Sequence, residues 1–328
     1  MTDPTVDPAR PPQSIAQPKL RLPEFVAMVA MLVATIAFSI DSMLPAVPEI
    51  GQELSRDNPN VAQLVIVAFV FGMGVGTMFA GPLSDAVGRK PVMLGGAGLY
   101  CLAAAWAAFA PSMESLLLAR VVQGLGASGP RVVGQAMIRD LYMGRQMAKV
   151  SSFVMMTFTL VPAVAPLVGA FIIAGFGWRA IFWAFVVFSV ISSAWLALRQ
   201  PETLPAGRRR PVRLAALLAA AREVLWHPNV RRAIMVQTLV SGILFATITS
   251  VQPIYDIVFD AAETFPLWFG VVALIAGSAS FLNARLVERL GMLWLLRRAL
   301  ATHLGLSAVL VAAWWGGPFR PTWPLRPS

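Results

Sequence analysis

The stretch Gly81-Pro82-Leu83-Ser84-Asp85-Ala86-Val87-Gly88-Arg89-Lys90 separates two long apolar runs, 61–82 and 92–110. Glycine lets a backbone turn sharply and lets helix ends approach closely. Proline sits better near a helix end than in its middle. The pattern predicts a short charged turn between two apolar helices. In that turn Asp85, Arg89 and Lys90 are placed to pair with one another or with neighbouring helix ends. Taken alone, it is also what ordinary positive anchors beside two spans look like, so the rest of the chain has to decide.

The composition points to a membrane. Of 328 residues, 57% are hydrophobic and 13% charged, and the mean hydropathy is +0.70. A soluble domain carries about 25% charged residues. The fold class expected is therefore an all-α polytopic membrane protein. The net charge of +10 would fit nucleic acid, but the basic residues lie between apolar runs, where the positive-inside rule puts them. No nucleic acid partner is expected; the lipid bilayer is. Cys101 is the only cysteine, so no internal disulfide or cysteine-based metal cluster is available. His227 and His303 are too far apart in sequence to form a metal site by spacing. No phosphate-binding loop, zinc-protease motif or paired carboxylates occur, so an enzyme is not expected.

A span needs about 20 mainly apolar residues, closed on itself as a helix. Nine candidates meet this: 25–47, 61–82, 92–110, 113–138, 150–174, 178–198, 232–256, 266–287 and 298–316. Lys and Arg collect on alternate loops, at Arg10, Lys19 and Arg21, at Arg89 and Lys90, at Arg139, Arg145 and Lys149, and from Arg199 to Arg232. The other loops carry Glu49, Glu53, Asp57 and Glu114. This asymmetry predicts a cytoplasmic N-terminus. The expected organisation is a disordered tail over 1–24, a six-helix bundle over 25–198 and a basic cytoplasmic linker over 199–231. A partial, three-helix second bundle over 232–316 and an irregular tail over 317–328 complete it. Leu214 to Trp226 of the linker is amphipathic enough for a helix on the membrane surface. Glu288-Arg289-Leu290-Gly291 repeats the acidic-x-x-Gly spacing of Asp85 to Gly88, as a repeated half would.

Asp41 is the most telling single residue. It lies inside the first span, where an ionisable group is costly and marks function by default; a structural carboxylate paired with arginine is the alternative. A site that holds either a proton or a substrate is all an antiporter needs. Arg120, in Arg120-Val-Val-Gln123-Gly124-Leu-Gly126 of the fourth span, is a fixed charge that could pair with Asp41 or serve structure alone. Arg131, three turns further along, is read as structural or gating. Pro162, Pro166 and Gly169 make the fifth span a kinked helix able to pack tightly. Gln237 and Gln252 of the seventh are candidate cavity-lining residues.

The turn motif G-x-x-x-D-x-x-G-R-K at Gly81, Asp85, Gly88, Arg89 and Lys90 resembles the signature loop of the major facilitator superfamily of transporters. That resemblance implies a cytoplasmic latch holding the outward-facing state. The R-x-x-Q-G-x-G at Arg120 resembles the superfamily's fourth-helix motif, implicated in proton coupling. P-x-x-x-P-x-x-G at Pro162 resembles its exporter signature. Asp41, Leu44, Pro45, Ala46, Pro48 and Ile50 resemble the drug-resistance transporters of the Bcr/CflA type, with Met43 where that pattern has an aromatic residue. The resemblance implies a monomeric drug/proton antiporter of the bacterial inner membrane. It would use the proton gradient and no cofactor, and export bicyclomycin- or chloramphenicol-like compounds. A metabolite exporter or symporter of the same fold remains open. A complete member would carry three further helices after the proline-rich end, so a transport-inactive truncated relic is also open.

Overall fold

The computed structural model describes residues 20–211, 219, 222, 223, 225–255 and 264–316. The expected tails fall almost wholly outside these residues, and the expected surface helix over 214–226 largely so. Among the described residues there are ten α-helices, three short 3-10 turns and no strand.

The chain enters α1 (Leu22–Asp41) with Pro23 in its first turn, a position where proline's missing N–H is not needed. Pro45 and Pro48 then break the helix. A 3-10 turn, Leu44–Ala46, leads into α2 (Val47–Leu54). Together α1 and α2 make one apolar segment long enough to cross a membrane, Leu22–Leu54, rather than ending near 47.

α3 (Leu64–Val87) and α4 (Arg89–Ala108) follow. The expected turn from Gly81 to Lys90 is shorter in the structure. α3 runs on through Pro82 to Val87, and Gly88 alone makes the turn. Proline removes one helical bond, but the bonds on either side carry α3 past it. α5 (Met113–Leu141) starts at Ser112, whose hydroxyl accepts from the Ser115 amide. α6 (Gly144–Phe176), α7 (Arg179–Arg199), α8 (Pro228–Pro253), α9 (Phe265–Leu290) and α10 (Met292–Gly316) complete the order.

Among the described residues, seven segments are long and apolar enough to cross a membrane. α5 is not among them, although it has 29 residues. It carries Arg120, Gln123 and Arg131 and packs on α1, α3, α4 and α6. A helix shielded by its neighbours need not be as apolar as one facing lipid. Within α9, Phe265–Ser278 forms an apolar helical stretch among the described residues.

One end of the bundle carries Arg21, Arg89, Lys90, Arg139 and Arg199; the other carries Glu49, Glu53, Asp57 and Glu114. We call them the basic and the acidic end. At the acidic end the core unites α1 to α5 and α7 with Phe265 of α9, and Phe245, Ile248, Val251, Tyr255 and Phe269 pack against it. The core at the basic end, from Leu20 and Phe25 to Tyr142 and Leu196, includes no residue beyond α7 among those described. Ile234, Met235, Leu239 and Leu244 of α8 are correspondingly exposed. The two halves thus meet at the acidic end and part at the basic end.

Candidate functional site

Three constellations sit on this frame. The first is a buried polar knot at Arg120, which has no solvent exposure. Its Nε donates to the Val65 carbonyl at 3.0 Å, Nη1 to Gln123 Oε1 at 2.8 Å and Nη2 to the Ser39 carbonyl at 3.0 Å. The guanidinium lies over the Phe69 ring, 4.5 Å from its centroid, a favourable stack for a desolvated cation. The Ser39 hydroxyl is hydrogen-bonded to the Tyr100 hydroxyl, which brings α4 into the same knot. Gln123 Nε2 is buried with no hydrogen-bond partner among the described residues. The helices approach closely enough for this because α5 is glycine where it must be. A Cβ on Gly124 would meet the Phe69 carbonyl of α3, and one on Gly126 the Gly96 carbonyl of α4, at 2.6 Å.

The second is a cavity of about 730 Å³ between α1, α5 and α6 on one side and α8 and α9 on the other. Its wall is mostly apolar, with Ile40, Met73, Met155, Leu244, Phe245 and Trp268 among its residues. Asp41, Arg131, Gln237 and Tyr255 also line it. Asp41 is only 5% exposed and makes no hydrogen bond or ion pair among the described residues. Gln237 Nε2 donates to Ser241 Oγ at 3.0 Å. Pro162 lines the cavity from α6. Pro166 lies one turn further along the same uninterrupted helix. Two turns from Pro162, α6 touches the α1 break so tightly that a Cβ on Gly169 would collide with the Ser42 carbonyl. Gln252 is buried and lines a separate cavity of about 390 Å³ at the acidic end, with Pro45, Pro48 and Glu49.

The third is the turn at Gly88. Its φ of 119° is a conformation that side chains with a Cβ rarely adopt, and a Cβ there would stand 2.6 Å from Glu202 Oε2. Arg89 reaches Asp85 Oδ1 at 2.6 Å and Asp140 Oδ2 at 3.0 Å. Glu202 accepts from the Arg89 and Lys90 amides at 2.9 and 3.1 Å, a carboxylate at the positive end of α4. Lys90 Nζ donates to the Ala197 carbonyl, and the Arg210 amide to the Asp85 carbonyl. Gly81, one turn before Asp85, faces Val132 of α5.

One expectation needs correcting for this conformation. Arg120 does not pair with Asp41. Its donors face backbone carbonyls and Gln123, and its link to Asp41 runs through Ser39, two residues earlier on α1. In this conformation the turn's hydrogen bonds and ion pairs among the described residues all lie within 81–210. Sequence reasoning missed Ser39, Tyr100, Asp140 and Glu202 as partners, and Arg131 as a cavity residue. By sequence Phe38, Phe69 and Phe158 are candidates for a hydrophobic pocket; the side chain of Phe158 lies outside the described residues. Phe69 lies under Arg120, and Phe38 packs on Phe185 and Phe188.

A family model described as Major Facilitator Superfamily matches residues 27–325. A bicyclomycin resistance protein homolog from Haemophilus influenzae is 31% identical over 299 residues, covering 89% of this chain and 75% of that protein. A chloramphenicol resistance protein from Pseudomonas aeruginosa is 38% identical over 169 residues, which cover 51% of this chain and 40% of that protein. In fold, the crystal structure of a D-xylose-proton symporter matches 81% of this chain and 69% of its own, with a TM-score of 0.60 at 15% identity.

Proposed function

The chain belongs to the Major Facilitator Superfamily, and on that premise we propose that it is a drug/proton antiporter working by alternating access. Family membership makes it a multi-pass membrane transporter, not an enzyme. Its proposed substrates are small hydrophobic or amphipathic compounds of the bicyclomycin or chloramphenicol kind, in keeping with the names of its relatives. The observation that carries the reading is Asp41. It is buried, without a partner among the described residues, and lines a largely apolar cavity between two groups of helices. An unpaired intramembrane carboxyl is expensive to keep, and proton exchange gives it a use.

The basic end faces the cytoplasm of a bacterial inner membrane by the positive-inside rule, so this conformation is open inward. The segments α1 to α7 form the six-span bundle, with α1 and α2 as one broken span. α8 to α10 form three spans of the second bundle. Substrate entering from the cytoplasm displaces the proton of Asp41 to water. The halves rock about the close approach of Gly270 on α9 to Ala163 on α6, a helix that Pro162, Pro166 and Gly169 shape, and substrate leaves at the acidic end. Asp41 then takes a proton from outside, and the return carries it inward. Arg120, with Gln123, Gly124 and Gly126 behind it, positions Asp41 by gripping the Ser39 carbonyl. The turn at Gly81, Asp85, Gly88, Arg89 and Lys90 closes the basic end in the opposite state. Gln237 lines the substrate path and Gln252 the acidic-end vestibule.

The test is accumulation of chloramphenicol in a pump-deficient bacterium expressing the chain, with and without a proton uncoupler. Export that collapses with the uncoupler and in Asp41→Asn is expected. Export by Asp41→Asn at the wild-type, uncoupler-sensitive rate overturns the assignment of Asp41.

A further inference from the structure

The larger cavity contains a cation that the antiport cycle does not use. Arg131 is exposed, lines the cavity from α5, and makes no hydrogen bond or ion pair among the described residues. Among the described residues, Asp41 is the only other formally charged one in that wall. The two are not a loosened ion pair. The side chain of Arg120 reaches the level of Ser39, and Arg131 lies eleven residues beyond Arg120 toward the basic end. At 1.5 Å per residue, this separates Arg131 from Asp41 by roughly 15–20 Å along the bundle. Asp41 thus sits deep, near the closed acidic end, while Arg131 stands nearer the mouth, on the side where the halves part.

We infer that Arg131 is a substrate-recognition residue that selects amphipathic organic oxyanions, carboxylates in the simplest case, for the larger cavity. The inference rests on the reading of that cavity as the substrate site. A guanidinium presents a planar fork of donors that matches an oxyanion with two parallel bonds. In a mostly apolar cavity such a bond is stronger than in water. A cationic compound entering past Arg131 meets like charge, and a neutral one leaves the fork unpaired. The apolar walls, Met155, Leu244, Phe245 and Trp268, take the hydrophobic body of the compound. Recognition of the anion and handling of the proton are thereby divided between two residues at two depths.

Chloramphenicol and its hemisuccinate ester share a scaffold and differ by one carboxylate, so they isolate the charge. Binding of each radiolabelled compound is measured to the full chain in lipid nanodiscs, next to proton-driven uptake of each into inverted vesicles. The wild type is expected to bind the hemisuccinate at least tenfold more tightly than chloramphenicol. Arg131→Gln is expected to lower that ratio at least tenfold, and Arg131→Lys, which keeps the charge but not the fork, to retain part of it. A wild-type ratio near one overturns the inference, as does a ratio unchanged in a folded Arg131→Gln. If uptake stays proton-driven and dependent on Asp41 while the ratio is flat, only this inference fails. If the ratio is high but uptake ignores the proton gradient and Asp41→Asn, the antiport reading fails and the recognition role stands. If neither compound binds the wild type, the inference is overturned outright.

Discussion

Arg120 and Arg131 lie on one helix, eleven residues and so about 20° apart around its axis, yet they inhabit different regions. At the acidic end α1, α3 and α4 close around α5, and Arg120 is held by three acceptors and an aromatic face. At the level of Arg131 the halves have parted, and the same face of α5 looks into a cavity. Arg89 is an intermediate case, mostly buried and paired with two carboxylates. A desolvated cation whose partners belong to the protein is part of the fold. One whose partners are missing waits for something that is not protein. If so, removing these arginines should damage stability in proportion to the partners each has.

The largest loss is expected at Arg120. Arg120→Ala removes three charge-assisted bonds and leaves a void between helices, for a combined cost of about 3–5 kcal/mol. Arg120→Lys should rescue little, because an ammonium group cannot span the Val65, Ser39 and Gln123 acceptors together. Thermal unfolding in detergent, followed by loss of the monodisperse peak, reads this out. A variant as stable as the wild type would show that the knot is not structural and would break the comparison at its strongest point.

Arg89→Ala should be milder. It frees Asp85 and Asp140 but leaves Glu202 on the amides of residues 89 and 90. Asp85 is half exposed, so water recovers part of the loss, and about 1–3 kcal/mol is expected. The deficit should shrink in high salt, whereas that of Arg120→Ala should not. Equal salt sensitivity in both would erase the distinction between a cation paired at the end of the bundle and one bonded in its interior.

Much of this was legible in the sequence. The apolar runs gave the helices, and the charged glycine turn, the fourth-helix motif and Asp41 stood out because charge among apolar residues has few uses. The partners were not legible. Arg120 bonds the backbone of Ser39 and Val65, and any residue type carries a carbonyl. Glu202 lies 113 residues from the Arg89 amide it caps, so no local pattern joins them. Pro82 was read as a helix end, but α3 continues past it. Arg131 has the same residue type and nearly the same helical face as Arg120. Only where the helices diverge decides that one is enclosed and the other faces the cavity, and that belongs to tertiary packing.

Asp41→Asn separates stability from activity. Amide and carboxyl have nearly the same shape, and no protein partner is lost, so the unfolding midpoint should change by less than about 1 kcal/mol in equivalent stability. Proton-driven export should fall to background. A large stability loss would mean that Asp41 has a structural partner, which places it with Arg120 rather than with the cavity.

The smallest effect on stability is expected at Arg131. Arg131→Gln removes no bond made among the described residues and creates no enclosed void, because the side chain already borders a cavity of about 730 Å³. The change should stay within about 0.5 kcal/mol, as at other sites without structural partners. It could even be slightly stabilising, since a cation near apolar surface without a counter-charge is itself a cost. Measured beside Arg120→Ala under one protocol, the pair tests the comparison directly. Similar losses would mean that α5 needs both charges for folding. A wide gap would leave Arg131 as a charge that does nothing for the fold, and what such a charge on a cavity wall can act on is what enters the cavity.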